Sequence, residues 1–326
     1  MSFMDKVRQL QSEGRHVSLG MDTVFGPPRE EHIEQNEALG LAGKKKLLCI
    51  PAHLKVPGQS RAEIFFKFNK AIIDACIMNA CVVKINAAHY STVYGDDIAL
   101  IDTVKYSHSQ YPNVPVIVDA KRTDIGNTNK EYVAEVFEKF GADGTTVNAY
   151  FGQEGVQPFL DQEDKGIFVL ARTSNPGAEE FQVDPSLMSV DAIKSLMGEN
   201  FVPPWPEFKQ LSDESARWFG VPFYLKVAMR VAKVWNKKGN CGLVVGATAA
   251  SQQFLNVREL VGPMEILLPG YGAQKGSLDM VDINTIVNSS RGIIFASADE
   301  LYVEAAAVEA RKVNEASHAV IASRKN

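Results

Sequence analysis

Residues 118–128 read Val118-Asp119-Ala120-Lys121-Arg122-Thr123-Asp124-Ile125-Gly126-Asn127-Thr128. The apolar run Val116-Ile117-Val118 passes directly into alternating charges. Side chains alternate across a strand, so Asp119 and Lys121 fall on one face of a strand over 115–121. Lys84 and Asn86 stand in the same relation at the end of a strand over 81–86, which gives two facing pairs. Burying an unpaired ion is costly, so such charges need a reason. They could form a structural salt-bridge network, with Asp124 capping a helix that starts near Ile125. They could equally be catalytic groups at the C-terminal ends of parallel strands.

Outward from this stretch, apolar β-branched runs bounded by turn residues recur over 16–22, 81–86, 115–121, 144–150, 166–173, 241–247, 265–270 and 292–297. Helical period fills most of the gaps. Ile64, Phe65, Phe68, Ile72 and Ile73 form one apolar stripe within 61–80, and Val133, Val136, Phe137 and Phe140 another within 129–140. Alternation of strand and helix implies a parallel α/β sheet, either closed as a (β/α)8 TIM barrel or open and doubly wound. Two connections are long for such units. Residues 23–60 and 175–240, following the first and fifth strands, read as ordered insertions on a single barrel domain spanning 1–326. The second contains Pro203-Pro204-Trp205-Pro206, where Trp205 suits packing of the insertion.

The chain has 326 residues, 45% hydrophobic and 22% charged, enough to bury a full core. Its net charge of −5 offers no basic stripe to a nucleic-acid backbone, so nucleic acid is not expected as a partner. No run is long and apolar enough for a membrane span, and residues 1–15 lack the apolar core of a signal peptide. The four cysteines show no CxxC spacing and suit reduced, buried thiols, which points to the cytoplasm. The six histidines have no HxxxH or HxH spacing, so no metal site is expected. No GxGxxG follows the first strand, which argues against a dinucleotide, and no cofactor is expected.

Pro269-Gly270-Tyr271-Gly272 alone is an ordinary tight turn. Its place after the seventh strand, with Arg291 just before the predicted eighth, is where barrels commonly hold phosphate. Arg291 offers a planar fork for phosphate, and backbone N–H groups near Pro269 and Ser290 could add to it.

The order of these motifs resembles a known family. Asp119, Lys121, Asp124, Ile125 and Thr128 fit the Asp-x-Lys-x-x-Asp-Ile-x-x-Thr signature of orotidine 5′-monophosphate decarboxylases. Val82-Val83-Lys84-Ile85-Asn86, Ala171-Arg172-Thr173-Ser174-Asn175-Pro176-Gly177-Ala178, Gly242-Leu243-Val244-Val245-Gly246-Ala247-Thr248, Leu268-Pro269-Gly270-Tyr271-Gly272-Ala273-Gln274 and Asn288-Ser289-Ser290-Arg291-Gly292 agree with its longer bacterial branch. The family's fold settles the choice for the closed barrel. Thr23 and Ala149 stand where the family commonly has proline, and Lys275 where it commonly has glycine.

The resemblance implies a cofactor-free carboxy-lyase that makes uridine 5′-monophosphate in pyrimidine biosynthesis. Lys121 would be the proton donor, Asp119 the carboxylate beside the substrate's own, and Lys84 the holder of the network and a ribose contact. Asp22 and Asn86 would bind the ribose. Ser174, with Thr173 beside it, would read the pyrimidine, and Gln274 would bridge base and phosphate. Asp124, Ile125 and Thr128 would reach the neighbouring subunit's site, which makes the assembly a homodimer. Loss of carbon dioxide leaves a carbanion with no carbonyl to delocalise it, so a positioned ammonium has to supply the stabilisation. Asp119 and Asp124 would favour that charged form, and repulsion by Asp119 would be a secondary effect. The nearest rival is a magnesium-dependent sugar-phosphate decarboxylase or aldolase of the same superfamily. Ile125, Thr128 and Gln274 favour the nucleotide enzyme.

Overall fold

The computed structural model describes residues 1–26, 49–93, 95–202, 204–205, 209–210, 218–272 and 276–324. Strands β1 (Val17–Met21), β2 (Ala80–Asn86), β3 (Val116–Arg122), β4 (Gly144–Asn148) and β5 (Gly166–Arg172) match the expected runs. Three further strands, β6 (Pro185–Ser189), β7 (Lys209–Gln210) and β8 (Trp218–Pro222), lie in the long excursion after β5. Strands β9 (Cys241–Val245), β10 (Ile266–Pro269) and β11 (Thr285–Ser289) follow. A closed barrel runs in the order β1-β11-β10-β9-β5-β4-β3-β2, and its neighbouring strands are parallel. The expected (β/α)8 architecture is therefore the one observed.

One expected strand is wrong. The eighth barrel strand is β11, not residues 292–297, whose first part lies in the short helix Arg291–Ile294. Both stretches hold β-branched residues, and a short apolar run is ambiguous between strand and buried helix. Thr285, Ile286 and Val287 pair with β10, Val287 also pairs with β1, and all three are fully buried. The error mattered for position, because Arg291 follows the eighth strand and so stands at the barrel mouth.

The helix Arg61–Cys76 starts at a capping box in which Ser60 and Glu63 exchange hydrogen bonds, and its predicted stripe is buried. The second stripe is split between the helix Thr128–Val133 and a π-helical stretch Ala134–Lys139. Helix Phe3–Ser12 closes the bottom of the barrel, where Phe3 fills space left by Gly144 and Gly166. A Cβ on Gly166 would lie 2.4 Å from the Phe3 ring.

The excursion after β5 carries a small antiparallel sheet, ordered β6-β8-β7. Trp205 is buried there, and its Nε1 donates to Glu259 Oε2 at 2.8 Å, tying the excursion to helix Ser251–Val261. This is the packing role expected of that tryptophan. Cys49, Cys76, Cys81 and Cys241 are buried and free. No helix among the described residues is long and apolar enough to cross a membrane.

Candidate active site

Strand register brings the charges together. Gly20 of β1 aligns with Lys84 of β2, and Asn86 of β2 aligns with Asp119 of β3. Asp22 follows β1 by one residue, so Lys84 lies between two carboxylates. Its Nζ is 3.0 Å from Asp119 Oδ2 and 3.8 Å from Asp22 Oδ1, with the lysine side chain 4% exposed. Burial alone would depress the Lys84 pKa, but Asp119 and Asp22 outweigh it and hold the ammonium above the usual lysine value. Asp119 is also buried, yet Lys84 and Lys121 hold its carboxyl well below the usual carboxylate range. Lys121 Nζ lies 2.7 Å from Asp119 Oδ1, which completes a line of alternating charge, Lys84–Asp119–Lys121.

The Lys84–Asp119 end of this line borders a cavity at the C-terminal mouth of the barrel. Asp22, Lys84, Asn86 and Asp119 form one side, and Ser174 and Pro269 with Ser290 and Arg291 the other. All eight belong to the residues expected from sequence. Asp22 Oδ1 is buried without a hydrogen-bond donor and faces the Lys84 ammonium at 3.8 Å. The Asn86 side chain accepts the Ala88 N–H at 3.2 Å, which orients it at the strand end.

Across the cavity, a hydrogen-bonded chain fixes Ser290. Ser18 Oγ donates to Asn288 Oδ1 at 3.1 Å, and Asn288 Nδ2 donates to Ser290 Oγ at 3.3 Å. Gly270 and Gly272 adopt positive φ of 103° and 84°, conformations that favour glycine, and turn the chain after β10. Gly246 leaves room for Ser174, whose backbone and Cβ would stand 2.8 Å from a Cβ placed there.

Other expected residues lie elsewhere. Lys121 reaches Asp119, but its side chain is 50% exposed and it does not line the cavity. Thr173 is occupied with Gln182 and Asn175 and also stays out of the lining. Asp124 does not cap a helix, since its Oδ1 accepts the adjoining Ile125 N–H at 2.7 Å and the helix begins at Thr128. Buried Asn129 holds this loop by accepting the Asp124 N–H and donating to the Asp124 carbonyl. Asp124, Ile125 and Thr128 do not line their own cavity, and Ile125 is 61% exposed. Gln274 and Lys275 lie outside the described residues.

Sequence reasoning missed two residues. Thr146 on β4 donates to Asp119 Oδ1 at 2.7 Å, and Asn288 lines the cavity while aligning Ser290. A polar residue after the apolar Ile286-Val287 was the available signal for Asn288, whereas β4, Gly-Thr-Thr-Val-Asn, gave none for Thr146. Among the described residues no group of His, Cys, Asp and Glu forms a metal-binding cluster.

The chain's similarity to known proteins identifies its family. A family model described as orotidine 5′-phosphate decarboxylase / HUMPS family matches residues 66–197. An orotidine 5′-phosphate decarboxylase of Janthinobacterium sp. (strain Marseille) is 36% identical over 296 residues, covering 86% of this chain and 95% of that protein. A Halorubrum lacusprofundi protein of the same name is 41% identical over 245 residues, covering 71% and 74%. The solved Leishmania donovani OMP decarboxylase shares the fold, with a TM-score of 0.68 at 23% identity, covering 98% of this chain and 99% of that one. Relatives 36% and 41% identical, matched over 95% and 74% of their own length, on a barrel with charged groups at its mouth, place this chain in the orotidine 5′-phosphate decarboxylase family.

Proposed function

We propose that this enzyme converts orotidine 5′-monophosphate to uridine 5′-monophosphate in de novo pyrimidine biosynthesis, with Lys121 as the proton donor. The carrying observation is the alternating line of Lys84, Asp119 and Lys121, of which Lys84 and Asp119 line the cavity. In the reaction the bond between C6 and the carboxylate carbon breaks and carbon dioxide leaves. The electron pair stays on C6 and takes a proton from the Lys121 ammonium. A fixed ammonium stabilises that pair as it forms, and Asp119 keeps the ammonium in place. Repulsion between Asp119 and the substrate carboxylate is a secondary contribution.

Binding follows from the two sides of the cavity. Asp22, Asn86 and Lys84 take the ribose hydroxyls, supported by their shared place in the cavity lining. Ser174, with Thr173 behind it, reads the pyrimidine edge. Arg291, Ser290 and the turn after Pro269 take the phosphate, at a position after the seventh and eighth barrel strands that suits it. Gln274 bridges base and phosphate in this reading. Binding energy from the remote phosphate helps hold the reacting ring against Asp119.

Asp124, Ile125 and Thr128 serve the site of a second copy, so the working form is a homodimer. Their absence from the lining of their own cavity and the exposure of Ile125 and Thr128 support this. We read residues 1–326 as one barrel domain with 23–60 and 175–240 as insertions. We place the protein in the cytoplasm, supported by four buried, unpaired thiols.

The test is turnover of orotidine 5′-monophosphate by chelator-treated protein, followed by ultraviolet absorbance. Decarboxylation without added metal is expected. No turnover, or turnover only with magnesium, would overturn the assignment.

A further inference from the structure

The pairing of β3 with β4 slips beside the reacting charges. Val118 aligns with Thr145, but the next pair is Arg122 with Val147. Three residues, Asp119, Ala120 and Lys121, therefore face Thr146 alone. A bulge of this kind removes backbone groups from the ladder and re-aims side chains. Within it, Lys121 has a φ of 50°, the one positive value at a non-glycine among the described residues. Such a conformation persists only where its surroundings hold it.

Two threonine side chains replace the lost ladder. Thr145 Oγ1 donates to the Val118 carbonyl at 2.8 Å, at the entry to the bulge. Thr146 Oγ1 accepts the Lys121 N–H at 3.0 Å and donates to Asp119 Oδ1 at 2.7 Å. Thr146 is 1% exposed, so water does not compete for either bond. A hydroxyl has a single proton to give, and this one is committed to Asp119. The same oxygen thus grips the carboxylate of one reacting residue and the main chain of the other.

We propose that Thr146 is a positioning residue for the decarboxylation. Its hydroxyl couples the Asp119 carboxylate to the Lys121 backbone across the bulge, and so sets where the lysine side chain leaves the strand. This rests on Lys121 being the proton donor. Asp119 keeps its two lysine partners when the hydroxyl is removed, so substrate binding survives while the reacting geometry loosens. The loss falls on kcat.

The full chain is compared with Thr146→Val, which keeps the shape, and Thr146→Ser, which keeps the hydroxyl. Thr146→Val should lower kcat about 10- to 100-fold, the effect of losing a hydrogen bond to a charged group, with KM changed less than about threefold. Thr146→Ser should retain kcat within about threefold of the parent. Amide hydrogen exchange at Lys121, measured without substrate, should be about tenfold faster or more in Thr146→Val and unchanged in Thr146→Ser. Parental kcat in Thr146→Val, or equal impairment in both variants, would overturn the proposal. If Thr146→Val does not fold, Thr146→Cys replaces it with the same expectations. If the parent protein does not decarboxylate orotidine 5′-monophosphate, the functional reading fails, and the exchange comparison still decides whether Thr146 holds Lys121.

Discussion

Ser290 occupies the space that a side chain at position 20 would need: a Cβ on Gly20 would lie 1.8 Å from Ser290 Oγ and 2.7 Å from Ser290 Cβ. β1 therefore approaches the Ser290 end of the cavity, the proposed phosphate site, through a glycine, while the same residue aligns with Lys84 on the other side. Gly20→Ala must displace Ser290. It should destabilise the fold by about 1–3 kcal/mol, as overpacking does, and raise KM about tenfold with a smaller change in kcat. Thermal melts and steady-state kinetics read both effects, and an unchanged KM would remove Ser290 from the phosphate site.

Arg291 offers a second handle on the same end. Arg291→Ala should reduce kcat/KM for orotidine 5′-monophosphate by about 100-fold or more, since a charge-assisted phosphate contact is lost. Orotidine, which lacks the phosphate, should be turned over equally by both proteins. A similar loss on both substrates would place Arg291 in the structure of the site and not in phosphate recognition.

Lys84 is the buried centre of the charge line. Lys84→Met leaves Asp119 with one cation fewer and should cost about 3 kcal/mol in urea unfolding at pH 7, with activity reduced about a thousandfold. The ion pair also has a pH window. Asp119 has a depressed folded pKa, so its contribution is complete above the unfolded value near 4 and is lost only as pH falls towards that lower folded value. Lys84 has a raised folded pKa, so its contribution is complete below the unfolded value near 10.4 and is lost as pH climbs through the folded one.

Glu265, just before β10, behaves oppositely. It is buried at the end of the barrel away from the cavity, where Gln11 donates at 3.1 Å and Arg8 stands 3.4 Å away. Burial outweighs these partners, and its pKa is pushed up to about 7. The folded state then holds this proton more tightly than the unfolded one, so stability falls as pH rises from about 4.3 to 7 and stays at that lower level above. Glu265→Gln keeps the neutral shape and should be about 2–3 kcal/mol more stable than the parent at pH 8, with little difference at pH 4. Melting curves at the two pH values decide it, and an equal gap at both would contradict the titration.

Sharing of sites between subunits can be tested by complementation. Lys121→Ala and Asp124→Ala proteins, each nearly inactive, are mixed under conditions that allow subunit exchange. Half the dimers become mixed, and each mixed dimer has one site built from intact groups. Roughly a quarter of the parental activity should return, as expected for a two-fold symmetric pair. Absence of recovery despite proven exchange would leave each site self-contained.

Much of this was legible in the chain. Alternation of apolar strands and amphipathic helices leads to the parallel sheet, and charges at strand ends lead to the mouth of the cavity. Lys84, Asn86 and Asp119 could be picked as polar groups ending apolar strands, Pro269 from the turn after the seventh strand, Ser290 and Arg291 from their place just before the predicted eighth, and Asp22 and Ser174 from the family resemblance. The eighth strand was misplaced because Ile286-Val287 and Ile293-Ile294 look alike without knowledge of their partners. Thr146 stayed hidden for a different reason. Its importance comes from a slip in pairing between two strands, and no pattern within either strand records how they align.

That slip has a consequence for anyone who wishes to move this chemistry to another protein. Copying Asp119 and Lys121 onto a regularly paired strand would reproduce the residues and their spacing in sequence. It would leave the lysine main chain in the wrong conformation and the carboxylate without its peg. The portable unit is a two-strand module: three residues from one strand, seated on the Thr145-Thr146 pair of its neighbour.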